Sequence, residues 1–178
     1  GVFNADLGQS ASARIVREGG LGEVESCRAS CFLSQVFKPS VGWTFTKDRA
    51  GGGVVINSGS HLLYVMQTVM GGVAGVQARS SGVHNPVEDT FGALVDFESG
   101  AWGTINISCS VPGYEFQTHD LMIEGTNGTI EVGNEVLRVW LVDEHSGYPK
   151  GWSEKRRSET DPKAALSLSP DYCGDEFF

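Results

Sequence analysis

Charge is missing from the middle of this 178-residue chain: from Ala50 to Ala78, 29 residues pass without one Asp, Glu, Lys or Arg. A helix with one face in water normally carries charge there. This stretch offers Asn57, His61, Tyr64 and Thr68 instead, which predicts a buried helix whose second face looks into a sheltered, polar cleft. It does not read as a membrane span, because polar residues interrupt it and its longest unbroken apolar run is only Leu62 to Met66. Basic residues are scarce as well: 13 Lys and Arg stand against 22 Asp and Glu, for a net charge of −9 and a pI near 4.8. That field repels a phosphate backbone and argues against a nucleic-acid partner. The one basic cluster, Lys155-Arg156-Arg157, is flanked by Glu154 and Glu159 and reads as a solvated loop.

Cysteine is sparse. Cys27, Cys31, Cys109 and Cys173 include no C-x-x-C pair. Cys27 and Cys31 lie four apart in a strand-like segment, so they share a face without touching, and reduced core thiols are expected. Nothing resembles a signal peptide, which leaves the sequons at Asn106 and Asn127 without weight and predicts a cytoplasmic protein. No G-x-S-x-G elbow or phosphate-binding P-loop occurs. Gly71-Gly72-Val73-Ala74-Gly75 follows a helix, whereas a dinucleotide loop follows a strand and opens a helix. His84, His119 and His145 pair with no carboxylate at ligand spacing, so no metal site is expected.

What is present reads as one α+β domain over residues 1–178: a largely antiparallel open sheet with helices packed on one face. A first helix covers about Ser10 to Glu18 and stops at Gly19-Gly20. A strand follows from Glu23 to Leu33, then a loop carrying Trp43 and Phe45. The long helix spans about Gly53 to Met70, with Val55, Gly59, Leu62, Met66 and Val69 as one apolar stripe and Gly71-Gly72 as its end. Period-two strands come next: Val73 to Ala78, Thr90 to Glu98, Trp102 to Ser108, Asp120 to Glu124, Thr129 to Val132 and Val136 to Val142. Asn127-Gly128 predicts a hairpin with positive φ at both turn positions. The apolar run from Val136 predicts cover on both faces of the sheet. Residues 143–171 read as a long polar loop.

Asn57 and His61, spaced i and i+4, fall on one helix face about a turn apart. Imidazole titrates near neutrality, so it can take or give a proton at working pH, and an amide neighbour can hold a hydroxyl. Gly51-Gly52-Gly53 would let backbone approach a ligand. The same local pattern also fits a hydrogen-bonded core histidine beside a flexible loop.

Three segments resemble one family. Arg17-Glu18-Gly19-Gly20-Leu21-Gly22-Glu23-Val24 is similar to its helix-to-strand passage. Gly51 to His61 with Leu62-Leu63-Tyr64 is similar to its G-G-G-x-x-x-[DN]-x-G-x-H-x-x-D helix. Val87-Glu88-Asp89-Thr90 with Phe97 to Gly103 is similar to its hairpin. The chain thus resembles, over about residues 1–140, the C-terminal substrate-binding domain of the glucose–fructose oxidoreductase / inositol dehydrogenase / rhizopine-catabolism (Gfo/Idh/MocA) oxidoreductases. Members join this domain to an N-terminal Rossmann domain and move a hydride between NAD or NADP and a hydroxyl-bearing carbon, often on a sugar or cyclitol.

The resemblance implies that His61 is the catalytic residue. It implies that Asn57, Tyr64 and Trp43 bind substrate, and that Gly51, Gly52 and Gly53 are candidates to approach the cofactor. It also implies a homo-oligomer formed through the sheet face, using strands near Thr90–Glu98, Trp102–Ser108 and Val136–Val142.

The chain departs from the pattern. Asn57 cannot serve as a carboxylate base, Tyr64 stands where the motif often has Asp, and neither the Rossmann half nor a Glu-Lys-Pro motif is present. The expectation is a fragment inactive by itself that binds no nicotinamide cofactor alone. The alternative is a non-catalytic ligand-binding or oligomerisation module, and a third reading is a structural domain without a ligand.

Overall fold

Glycine decides where the first helix stops. In the computed structural model, which describes residues 10–37 and 47–156, helix α1 (Ser10–Arg17) runs into Gly19 at φ 78°. The N–H of Gly19 donates to the Val16 carbonyl at 3.0 Å and that of Gly20 to Ile15 at 2.8 Å, the paired bonds that satisfy a helix C-terminus. The chain then enters β1 (Val24–Phe32), followed by a 3₁₀ turn (Gln35–Phe37) and the short α2 (Lys47–Ala50). A π-type turn (Val55–Gly59) leads into α3 (Ser60–Met70), which ends at Gly71, φ 88°. The remaining strands are β2 (Val73–Ser81), β3 (Thr90–Phe97), β4 (Trp102–Ser108), β5 (Thr118–Gly125), β6 (Gly128–Val132), β7 (Val136–Leu141) and β8 (Gly151–Arg156).

The eight strands form one sheet in the order β2-β3-β4-β1-β5-β6-β7-β8. Every neighbouring pair is antiparallel except β1 with β4, which run parallel. The α+β reading holds. Alternation sends Cys27, Ala29 and Cys31 of β1, Ile105 and Ile107 of β4, and Leu121 and Ile123 of β5 to one buried face. Helix α3 presses Leu62, Val65, Met66, Val69 and Met70 towards that core. A Cβ on Gly103 would lie 2.6 Å from Cys27 Sγ and 3.1 Å from Met66 Cε, so this glycine lets the helix close on the sheet. Each Leu or Ile removed from water there contributes about 1.5–3 kcal/mol. Cys27, Cys31 and Cys109 are free thiols, and burial pushes Cys27 up to about 12.

Three expectations need correction. Strand β7 is covered on one face only among the described residues: Leu137, Val139 and Leu141 are buried, while Arg138 is exposed and paired with Glu154 at 3.0 Å. The sheet's outer face is therefore amphipathic rather than apolar. The long loop expected over 143–171 contains β8, whose Lys155 and Arg156 pair with β7 as an edge strand. Buried Tyr148 anchors the preceding turn, with Lys155 Nζ 4.4 Å from its ring centroid. Residues 157–171 lie outside the described residues, as does Cys173.

The hairpin at Asn127 forms, but with Thr126 and Asn127 as its two turn residues, since Gly125 pairs with Gly128. Neither Asn127 nor Gly128 has positive φ. Tertiary bonds hold the turn instead: Thr126 Oγ1 accepts from Glu23 N–H at 3.0 Å, and Asn127 Nδ2 donates to the Gly20 carbonyl at 2.9 Å. Gly128 is demanded by crowding, because a Cβ there would meet the Trp140 carbonyl at 2.4 Å.

Candidate functional site

The predicted long helix is two pieces joined by a wide turn. Over Val55–Gly59 the backbone adopts π geometry, and Ser60 N–H donates to the Val55 carbonyl five residues back. Such turns admit one extra residue and recur at functional positions. The Ser60 hydroxyl donates to the Ile56 carbonyl at 2.8 Å. The apolar stripe lands as expected: Gly59, Leu62, Met66 and Val69 are buried. Asn57, His61, Tyr64 and Thr68 all face outward and are exposed, Tyr64 by 69%. The reading of His61 as a core histidine is therefore ruled out. The sheltered cleft is not built either, because no described element roofs this face, and Ile56 stands 63% exposed beside it. Trp43 lies outside the described residues.

Glu88 and Asp89 hold this region from the sheet side. Glu88 Oε1 accepts from Gly53 N–H at 2.7 Å, and its main-chain carbonyl accepts from Val54 N–H at 2.8 Å. Asp89 is fully buried and accepts from the N–H groups of Val83 at 3.1 Å and His84 at 2.6 Å. Burial raises its carboxyl, but the hydrogen bonds from His84, Val83 and Thr90 outweigh this and hold it below the usual carboxylate value.

Sequence reasoning set His119 aside, yet β5 carries it to the same end of the sheet. It is the register partner of Cys31, and it alternates with Leu121 and Ile123, which are buried. Burial pushes its imidazole down to about 4; a hydrogen bond to Asn134 opposes this and the charge of His61 adds to it. Two residues earlier, Gln117 Nε2 donates to Cys31 Sγ at 3.1 Å and to Ser58 Oγ on the wide turn at 3.4 Å. The signal for His119 was in the strand parity: a histidine in phase with two core residues.

The glycine run does not fit a pyrophosphate. The N–H groups of Gly53 and Val54 are engaged by Glu88, and its carboxylate would repel an anion at the helix head. Gly51 has φ 68° and open space around its α-carbon. Among the described residues no group of three or more His, Cys, Asp or Glu is placed to hold a metal, and no helix is long and apolar enough to cross a membrane. Two shallow depressions lie on the outer sheet face, far from His61. One, of about 420 Å³, includes Arg28, Asp120 and Arg138; the other, of about 380 Å³, includes Arg138, Trp152 and Glu154. Two of their charged groups are already paired, Arg28 with Glu124 at 2.6 Å and Arg138 with Glu154 at 3.0 Å.

Among curated proteins none matches the chain by sequence. Solved structures share its fold. Levoglucosan dehydrogenase in complex with NADH and levoglucosan superposes with a TM-score of 0.74 at 20% identity, over 85% of this chain and 44% of that one. An NAD-binding oxidoreductase from Klebsiella pneumoniae gives 0.73 at 23% identity, over 89% and 46%. GenD2 from gentamicin A biosynthesis, in complex with NAD, gives 0.65 at 21%, over 85% and 45%. The chain spans less than half the length of these proteins. The family described as "GFO/IDH/MocA C-terminal domain" matches residues 11–131, and the chain belongs to that family.

Proposed function

We propose that this chain is the substrate-binding half of an NAD(P)-dependent sugar or polyol oxidoreductase, active only when a Rossmann domain covers the outer face of α3. The carrying observation is His61, exposed beside Asn57 on a helix face without charge. An exposed face bearing Ile56 and Tyr64 but no ionic group suits burial under a neighbouring domain better than permanent contact with water.

In this reading His61 accepts the proton of the substrate hydroxyl, which must leave as the carbon gives up hydride. Asn57 can donate an amide N–H to a neighbouring hydroxyl but cannot take a proton. Tyr64 and Trp43 supply flat contact surface for the ring or chain of the substrate. The nicotinamide would supply the hydride chemistry from the Rossmann side, since Glu88 blocks the helix head to phosphate. Free thiols at Cys27, Cys31 and Cys109 accord with a reducing, cytoplasmic setting. The outer sheet face, with Trp102 47% and Trp152 58% exposed, supports self-association there.

Calorimetric titration of the full chain with sugars and polyols, beside His61→Ala, tests this. One lost hydrogen bond to the ligand should weaken binding about tenfold. Equal affinity of the two proteins would reject the assignment of His61. A second reading, a ligand-binding or oligomerisation module without catalysis, is favoured by Asn57 in place of a carboxylate. It predicts sugar binding but no cofactor reduction once a Rossmann domain is fused upstream. Light scattering that finds only monomer at high concentration would reject assembly through the sheet.

A further inference from the structure

A π-type turn is rare and occurs mostly as a single bulged turn within an α-helix, frequently at a functional position. The turn at Val55–Gly59 is gripped on three sides. At its head, Glu88 takes the N–H of Gly53 through its carboxylate at 2.7 Å and the N–H of Val54 through its carbonyl at 2.8 Å. The fit is so close that a Cβ on Gly53 would lie 1.9 Å from the Glu88 carbonyl oxygen. At its foot, Gly59 packs on Ile107, whose Cδ1 would be 3.1 Å from an added Cβ. On its flank, Gln117 reaches Ser58 at 3.4 Å.

Glu88 is itself fixed. The next residue, Asp89, donates its N–H to the Ser81 carbonyl at 3.0 Å, and its own carbonyl accepts from Cys109 N–H at 2.9 Å. Two strands thus deliver Glu88 to the helix head, 35 residues away along the chain.

We propose that Glu88 is a positioning residue: its clamp on Gly53 and Val54 preserves the extra residue of the wide turn and so sets the angle between Asn57 and His61. If the turn relaxed to α geometry, one residue would be expelled. Everything upstream would then rotate by about 100° relative to His61, the angular step of one helical residue. Asn57 and His61 would no longer present the same pair of groups to one ligand. The functional meaning of the clamp rests on the substrate-binding reading above. Its existence does not.

Amide hydrogen exchange and imidazole NMR signals of the full chain provide the test. Glu88→Ala should accelerate exchange at Gly53, Val54 and Asn57 about tenfold or more relative to amides of β4 and β5, as expected for local rather than global opening. The ring signals of His61 should shift with it. Glu88→Gln, which keeps an oxygen acceptor for Gly53, should restore both. Unchanged exchange and ring signals in Glu88→Ala would overturn the proposal, as would equal acceleration at Ile105 and Ile123. If exchange and ring signals respond as expected while no sugar or polyol binds the wild type, the clamp stands and the functional reading falls.

Discussion

His119 stands opposite Cys31 in the ladder between β5 and β1, in phase with the buried Leu121 and Ile123. Burial there holds its imidazole at about 4, against 6.5 in the open. The folded protein therefore keeps it neutral where the unfolded chain would take up a proton. Its contribution to stability is complete above 6.5 and is lost as pH falls from 6.5 towards 4. Urea midpoints followed across that range should drop more steeply for the wild type than for His119→Asn. Parallel pH profiles would show that the ring is not buried as described.

Asp89 offers the opposite sign. Its carboxyl is lowered on folding, so its contribution is present above the ordinary carboxylate value and disappears as pH falls through the folded one. Asp89→Asn turns one acceptor into a donor facing the N–H of Val83 or His84. The cost should be about 1–3 kcal/mol, the penalty for an unsatisfied buried group, read from chemical denaturation near neutrality. A midpoint equal to wild type would contradict the three-donor cage.

Gly59 touches the sheet through one flexible atom, Cδ1 of Ile107, at 3.1 Å from the position of an added Cβ. Gly59 has helical φ of −64°, so Gly59→Ala gains about 1 kcal/mol of helix propensity against this contact, and the balance should be more favourable in an Ile107→Val background, where that methyl is gone. A double-mutant cycle should give a coupling of about 0.5 kcal/mol or more. Strict additivity would mean that the helix does not rest on Ile107 at this point.

Tyr148 is 2% exposed, in the turn that leads into β8. Tyr148→Ala should cost about 3–5 kcal/mol, the range for removing a buried ring. Tyr148→Phe should cost far less, since among the described residues the hydroxyl meets Lys155 alone, and at a long 3.4 Å. Equal losses in the two variants would shift the anchor from the ring to the hydroxyl.

Periodicity made most of the sheet legible: β4 alternates, β3 does so over its second half from Leu94 to Phe97, and Ser99-Gly100 joins them where the turn chemistry says it should. It gave no sign that β1 would run parallel to β4, because that pairing joins residues far apart along the chain. Strand β8 escaped notice because Trp152, Glu154 and Arg156 share the wet outer side of an edge strand, and neighbours at period two then carry no apolar signature. At the candidate site, Asn57 and His61 were visible as a pair, but the wide turn between them was not. Intrinsic propensity is silent about a geometry imposed by Glu88 from another part of the fold. Asn127-Gly128 misled for a related reason: long-range bonds to Gly20 and Glu23 overrode the local turn preference.

The position of β1 divides the sheet into two meanders, β2-β3-β4 and β5-β6-β7-β8, each closed by neighbours in sequence. Among the described strands, only β1 pairs with both. Both halves can zip locally and early, whereas seating this keystone requires Ser26 to meet Trp102 and Phe32 to meet Thr118, partners far apart along the chain. Joining it should be the slow, committing step of folding, and damage to its ladder should cost cooperativity before it costs either half its own order.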